Sequence, residues 1–334
     1  MSNLVIRLLH PLILVALLFL STHAFAIAQR TFVASYGLDT NACTLTQPCR
    51  SFAVAITHTQ TGGEVIVLDS AGYGPFVISQ PVSVIAPAGV YAGVSVPDYQ
   101  LGINVATPGL VVLEGLTLNG SSGASDGIGA TEGSQLYLKR VTVSGMGLGI
   151  SADNLTAEEL TVRNCQGIGL AVGRTQTGIS AVSIVRSRFI NNSTGIAVVD
   201  YAVASVVDSE IASNFIGIQV FPGDPLFAGD SSALLTCTRC NISNSVYAGI
   251  SARRGNSATV TINVIGSQLV GSNGVSQHGL LSEAGTEITV SDTLISQWAF
   301  GVDAAGGGSI VSVGDNRVYG NLFPGGFTST IGKQ

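Results

Sequence analysis

GIGATEGSQLYLKRVTVSGMGLGISADNLTAEELTVRNCQGIGL, residues 127–170, decides the fold. Two units lie end to end in it, GIGATEGSQLYLKRVTVSGMGL and GISADNLTAEELTVRNCQGI, each opening on a glycine and an aliphatic residue. In the first unit an alternating segment, Leu136-Tyr137-Leu138, is followed by a second, Val141-Thr142-Val143, and then by a short turn. Alternation with period two turns one face of a strand inward and the other outward. Each unit therefore reads as three short strands joined by turns. The glycine-aliphatic step returns at Ile128, Ile150, Leu170, Ile196, Ile218, Ile250, Leu280 and Val302, at spacings of 22, 20, 26, 22, 32, 30 and 22 residues. A short unit that sometimes carries extra residues marks a solenoid. The fold class expected is all-β, a single parallel β-helix over residues 65–321, right-handed because parallel crossovers are so in ~98% of cases.

The charges test that alignment. Strands of successive coils stack at about 4.8 Å, so outward residues at equivalent positions must tolerate one another. Lys139 and Arg140 fall opposite Glu158 and Glu159; Arg186, Asp208 and Arg239 share one column, and Arg188 lies beside Glu210. Opposite charges on adjacent strands help by roughly 0.2–1 kcal/mol each, which assigns these residues to structure rather than to a ligand. The one like pair aligned is Asp292 with Asp315. At the turn after the second strand, Asn164, Asn191, Ser213, Asn244 and Ser272 recur, the side chains that a tight left-handed turn accepts. The Asn-x-Ser/Thr matches at Asn119, Asn154, Asn191, Asn192 and Asn241 follow from this turn composition.

The ends differ from the repeat. Residues 1–28 combine Arg7, an apolar run from Leu12 to Leu20, and small-x-small exits at Ala26 and Ala28, the pattern of a cleaved export signal. The run is too short for a membrane span, which needs ~20 residues, so no span is expected in the mature chain. Residues 29–64 are expected to form an N-terminal cap, with a helix over Ser51–Gln60 in which Phe52, Ala55, Ile56 and Thr59 share a face. Residues 322–334 break the period and are expected to be a loose tail.

Cys43 and Cys49 flank six residues' separation in an exported chain, which favours a disulfide. Cys237 and Cys240, in CTRC, read as a local bridge or packing pair ahead of a redox pair or half a metal site, since zinc needs two further ligands. Cys165, three coils from Cys240, is expected to be free. Removing the signal takes one base and no acid, leaving 13 basic against 20 acidic residues and a net charge of −7. That balance excludes nucleic acid as a partner, because phosphate binding needs clustered cations and the short basic pairs are only Lys139-Arg140 and Arg253-Arg254.

The segment TFVASYGLDTNACTLTQPCRSFAVAITHTQTGGEVIVLDSAGYGPFVISQPVSVIAP, leading into Asn-turned coils, resembles exported bacterial proteins of the pectin-lyase-like parallel β-helix superfamily, over about Thr31 to Asn321. The resemblance implies a helix over the N-terminal end and an activity on polysaccharides. Its catalytic motifs do not carry over. The hydrolase-like members' Asp-Asp is missing, and Gln277-His278-Gly279 stands nearest to their Gly-His-Gly. Glycoside hydrolysis needs paired carboxylates, and none is evident. The lyase-like members' arginine beside acidic Ca²⁺ ligands has its nearest counterparts in Arg163, Arg186, Arg188 and Arg239, whose neighbours read as ladder partners rather than a cage of six to eight oxygens. Ca²⁺ is expected only if the chain is a lyase; otherwise no cofactor or metal is.

Length variation is concentrated between the glycine-aliphatic strand and the next, in GRTQTGIS from Gly173, FPGDPLFAGDSS from Phe221 and RRGNS from Arg253. Insertions at one turn line up along one edge, where solenoids place binding surfaces. The residues expected to contact a ligand are Arg174, Phe221, Asp224, Phe227, Asp230, Arg253 and Arg254. The function expected is a non-catalytic solenoid that binds polysaccharide or a cell-surface glycan, in the periplasm or outside the cell. The alternative is a divergent polysaccharide lyase or glycoside hydrolase acting on an acidic polysaccharide.

Overall fold

The computed structural model describes residues 27–121, 125–173, 178–222, 232–255 and 258–332. Its strands form three parallel sheets of thirteen, eleven and eleven strands, here A, B and C. One coil runs through Ser134–Lys139 in sheet A, Thr142–Ser144 in sheet B and Leu148–Ser151 in sheet C. The expected alignment is the observed register: Ile128, Ile150, Leu170, Ile196, Ile218, Ile250, Leu280 and Val302 lie opposite one another in that order. All eight are buried. The column also extends upstream through Ile103 and Phe76.

The glycine of the step is required by close approach, not by backbone angle. A Cβ built on Gly195 would stand 2.5 Å from the carbonyl oxygen of Gly217, and one on Gly217 2.5 Å from that of Gly249. Each coil thus lays a carbonyl against the glycine of the coil before it, and any side chain there would push the stack apart.

Two corners are tight. Between sheets A and B, Arg140, Glu159, Arg186, Asp208, Arg239 and Asp292 are all left-handed, with φ of 47–54°. That conformation costs roughly 1–2 kcal/mol for a residue with a Cβ. Each N–H is held by the next coil in return, as Arg186 to Val207 O at 3.1 Å and Asp208 to Thr238 O at 3.1 Å. The charge columns are as expected for Arg239 with Asp208, 2.6 Å, and Arg188 with Glu210, 2.8 Å. Lys139 does lie opposite Glu158, but Arg140 turns back to Glu114 at 2.8 Å instead of meeting Glu159. The alignment of Asp292 with Asp315 is observed. Asp315 Oδ1 accepts the Asp292 N–H at 2.8 Å, the place where earlier coils offer a backbone carbonyl.

Between sheets B and C the left-handed residues include Asn164, Asn191, Ser213 and Asn244, as expected, with Asn273 in place of Ser272 and Gln297 in the coil after it. The Asn273 turn is wider, because Gly271 and Asn273 both donate to the next coil, to Ser296 O and Gln297 O. Asn191 Nδ2 donates to Asn164 Oδ1 at 2.9 Å, a stacked amide pair. Just inside the turn, Asn192 and Asn214 are buried. Asn214 Oδ1 accepts the Asn192 N–H at 2.9 Å, and its Nδ2 donates to Phe189 O at 2.9 Å. A buried Asn192 is no glycosylation acceptor in the folded chain.

The segment expected as a cap itself supplies a strand, Ala28–Val33, which pairs in parallel with Glu64–Val67. A seven-residue helix, Phe52–His58, falls within the expected window. Ser51 caps it by accepting the Val54 N–H, and Asp39 Oδ1 accepts the N–H groups of Arg50 and Ser51 at 2.9 Å. Phe52, Ala55 and Ile56 are buried, with the Phe52 ring against Tyr73 and Phe76. Nearby, Asp69 accepts from the Ser35 N–H and hydroxyl and from the Tyr73 hydroxyl. Desolvation pushes its carboxyl up, but the bonds from Ser35 and Tyr73, with Arg50 nearby, together hold it below the usual 3.8. A folded-state pKa that is depressed contributes stability above the unfolded value, and that stability is lost as pH falls through the folded one. Asp69→Asn is accordingly expected to flatten the loss of stability below about pH 4, measured by urea unfolding at a series of pH values.

The tail is corrected too. Phe323–Gly325 pairs with Phe300 and Val302 in sheet C, and Ser329–Thr330 with Val311 and Ser312 in sheet A. The backbone ladder continues although proline and glycine blur the side-chain period. Cys43–Cys49 and Cys237–Cys240 are disulfides. Cys165 is free, and burial pushes its thiol up to about 11. It is expected to resist thiol reagents at pH 8 in the folded protein and to react once unfolded, as counted with a chromogenic disulfide.

Candidate functional site

The expected ligand edge is the corner between sheets C and A. Of the seven residues named for it, Arg174, Asp224, Phe227 and Asp230 lie outside the described residues. The structure brings Phe221 and Arg253 together. Val220 lies opposite Ala252 and Ala252 opposite Ser282, so the residues that follow, Phe221, Arg253 and Glu283, stack across three coils. The Arg253 guanidinium sits 5.5 Å from the Phe221 ring centre, and its Nε is 3.1 Å from Glu283 Oε1. Cation and ring therefore hold each other, at an exposed site where such contacts contribute ~0.5–1 kcal/mol. Arg254 packs over Gly285, leaving no room for a Cβ there.

A concave surface lies next to that edge, on the outer face of sheet A. A groove of about 390 Å³ crosses four strands and is lined by Leu110, Gln135, Tyr137, Asn154 and Thr156 among others. A second, of about 300 Å³, begins at the same fourth strand with Ile179 and continues over Val203, Leu234 and Thr261. Together they span seven consecutive strands, about 29 Å at 4.8 Å per strand. On the A–B side the groove is edged by charge. The Tyr137 hydroxyl donates to Glu158 Oε1 at 3.0 Å, and Glu158 meets Arg186 at 3.4 Å. Desolvation, then the bond to Glu158, raises the Tyr137 hydroxyl pKa.

Sequence reasoning missed a stack of five rings at the B–C corner: Phe215, Tyr247, His278, Phe300 and Phe323, with successive centres 5.0–5.8 Å apart. The signal was a ring one or two residues before the glycine in the later steps, as in Phe215-Ile216-Gly217 and Phe300-Gly301. His278 Nδ1 lies 2.9 Å from Asp303 Oδ2, without the alignment of a hydrogen bond. Three of the four contacts are stacked and Tyr247 meets His278 edge-on, so the rings are mostly engaged with one another. The stack reads as packing.

Among the described residues, no three His, Cys, Asp or Glu side chains come together as a metal site would require. Arg186, Arg188 and Arg239 each face one carboxylate in a ladder. Arg163 is exposed on sheet B.

No protein-family model and no curated protein matches the sequence. Solved structures do. Pectate lyase Pel9A superposes with a TM-score of 0.53 at 15% identity, covering 85% of this chain and 74% of that one. The A-module of the mannuronan C-5 epimerase AlgE4 from Azotobacter vinelandii gives 0.50 at 14% identity, covering 82% and 91%. The fold is a parallel β-helix like that of these two proteins. At these identities the likeness carries the fold and nothing of its chemistry.

Proposed function

We propose that this protein is an exported solenoid that binds a glycan chain along the outer face of sheet A without cleaving it. The observation that carries the reading is the pair of grooves that together cover seven strands, whose outward residues mix aliphatic and aromatic surface with hydroxyls and amides. Sugars offer both apolar C–H faces and hydroxyls, and such sites hold them by both. The two neighbours in fold are named for pectate and mannuronan, both polysaccharides. Export is supported by the signal pattern of residues 1–28 and by the Cys43–Cys49 disulfide, a bond that persists in oxidising compartments. Cleavage after Ala26 leaves the first strand whole, since Ala28 pairs with Thr59.

One observation favours hydrolysis instead. Glu114 and Glu158 flank Lys139 in the register beside Tyr137, two strands or about 9.6 Å apart. That backbone spacing is close to the ~6.5–9.5 Å between the carboxyl groups of an inverting pair. Each carboxylate faces an arginine, however, whereas a general acid needs apolar surroundings. The test is to incubate purified mature protein with a panel of polysaccharides and measure retention, unsaturated uronate absorbance with and without Ca²⁺, and reducing ends. Retention with neither product supports the proposal. Absorbance makes the protein a lyase, and reducing ends lost in Glu158→Gln make it a hydrolase.

A further inference from the structure

We infer that the chain bound on sheet A is an uncharged polysaccharide, a reading that rests on the function proposed above and narrows its substrate class. One outward column lines the two grooves and a second runs beside it on the same face, entering the first groove at Thr156. One runs Leu110, Gln135, Asn154, Ala181, Val203 and Leu234, and then Thr261. Neither a cation nor an acid occurs in it until Glu287. The other runs Thr156, Ser183, Ser205, Thr236, Asn263 and Thr289, six consecutive strands that each present a hydroxyl or amide. These are donors and acceptors at a repeat of about 4.8 Å with no charge among them.

Recognition of a uronate polymer would need the reverse, a row of arginines or lysines facing the carboxylates. Of the cations nearest the floor, at its A–B rim, Lys139 lies in register between Glu114 and Glu158, and Arg140, Arg186 and Arg239 are paired with Glu114, Glu158 and Asp208. On the other rim Arg253 is matched with Glu283. The mature chain's net charge of −7 adds a long-range repulsion toward polyanions. A neutral glycan meets none of this opposition and finds its hydroxyls answered strand by strand.

Affinity electrophoresis in gels cast with galactomannan, xyloglucan, dextran, polygalacturonate or alginate tests the inference. Retardation is expected in at least one neutral gel and in neither acidic one. By a solution pull-down on the same neutral glycan, binding should persist in about 1 M NaCl, where the Debye length is ~3 Å. Ser205→Arg and Thr236→Arg, both on the outward face, are expected to weaken retardation about tenfold or more while keeping the wild-type circular dichroism and melting temperature. Retardation confined to polygalacturonate or alginate overturns the neutral class and leaves the binding function standing. No retardation in any gel overturns the binding function itself. Unchanged retardation of both variants places the glycan elsewhere, and a dimer by sedimentation that Ser205→Arg dissociates means a second copy covers this face; either result overturns the inference.

Discussion

Gly217→Ala is expected to lower the stability of the protein by about 1–3 kcal/mol, the range for forcing a methyl into a packed interior. The added carbon would meet the Gly249 carbonyl oxygen at 2.5 Å, the Ser245 hydroxyl at 3.1 Å and an Ile242 methyl at 3.2 Å. The first of these contacts is backbone, tied into the parallel ladder of sheet C on both sides, so the clash is relieved only by separating two coils. Gly72→Ala is the control: nothing lies within 4 Å of its Cβ position and its φ is not left-handed, so a shift within about 0.5 kcal/mol is expected. Urea unfolding followed by circular dichroism measures both. Equal effects at the two sites would show that the repeated glycine is tolerated rather than required.

Asn214→Ala is expected to cost more, about 3–5 kcal/mol. Asn214 is fully buried. Its amide satisfies the Asn192 N–H and the Phe189 carbonyl, and also meets the Asn192 side chain at 3.2 Å. Removing it strands a donor and an acceptor away from water, at roughly 1–3 kcal/mol each, and leaves a cavity. Asn191→Ala, one coil earlier and on the solvent side, loses only the exposed bond to Asn164 and a left-handed preference, so an effect near 1 kcal/mol is expected. The contrast, read from the same urea curves, separates the inner asparagines from the outer ones. Comparable losses would mean that the buried amide is no more important than a turn residue.

The sequence made the outer asparagines legible and hid the inner ones. Asn164, Asn191 and Asn244 announce a turn wherever they fall, because their backbone preference is local. Asn192 and Asn214 look like one more polar turn residue; that they point inward depends on the coil closing around them. The same division runs through the charges. Arg188 and Glu210 were paired correctly because both are on strands of fixed register. Arg140 was misassigned because it sits at a corner, where a long side chain reaches Glu114 of the coil before as readily as Glu159 of the coil after. The ring stack had a signal, an aromatic residue ahead of the glycine, but Ala248 intervenes between Tyr247 and Gly249 while His278 abuts Gly279, so the column slips by one residue.

By itself the sequence determined the repeat, its register and the tight corner after the second strand. Alternation, left-handed turn residues and the glycine step act over a few residues, and identical units have one way to stack. Only the tertiary structure decided which surface is concave and which cations are matched. Those properties arise between side chains 20 to 34 residues apart, such as Tyr137 with Glu158 and Arg253 with Glu283. Insertions of unequal length at the third corner alter that separation from coil to coil, so the partner across a groove cannot be counted along the chain.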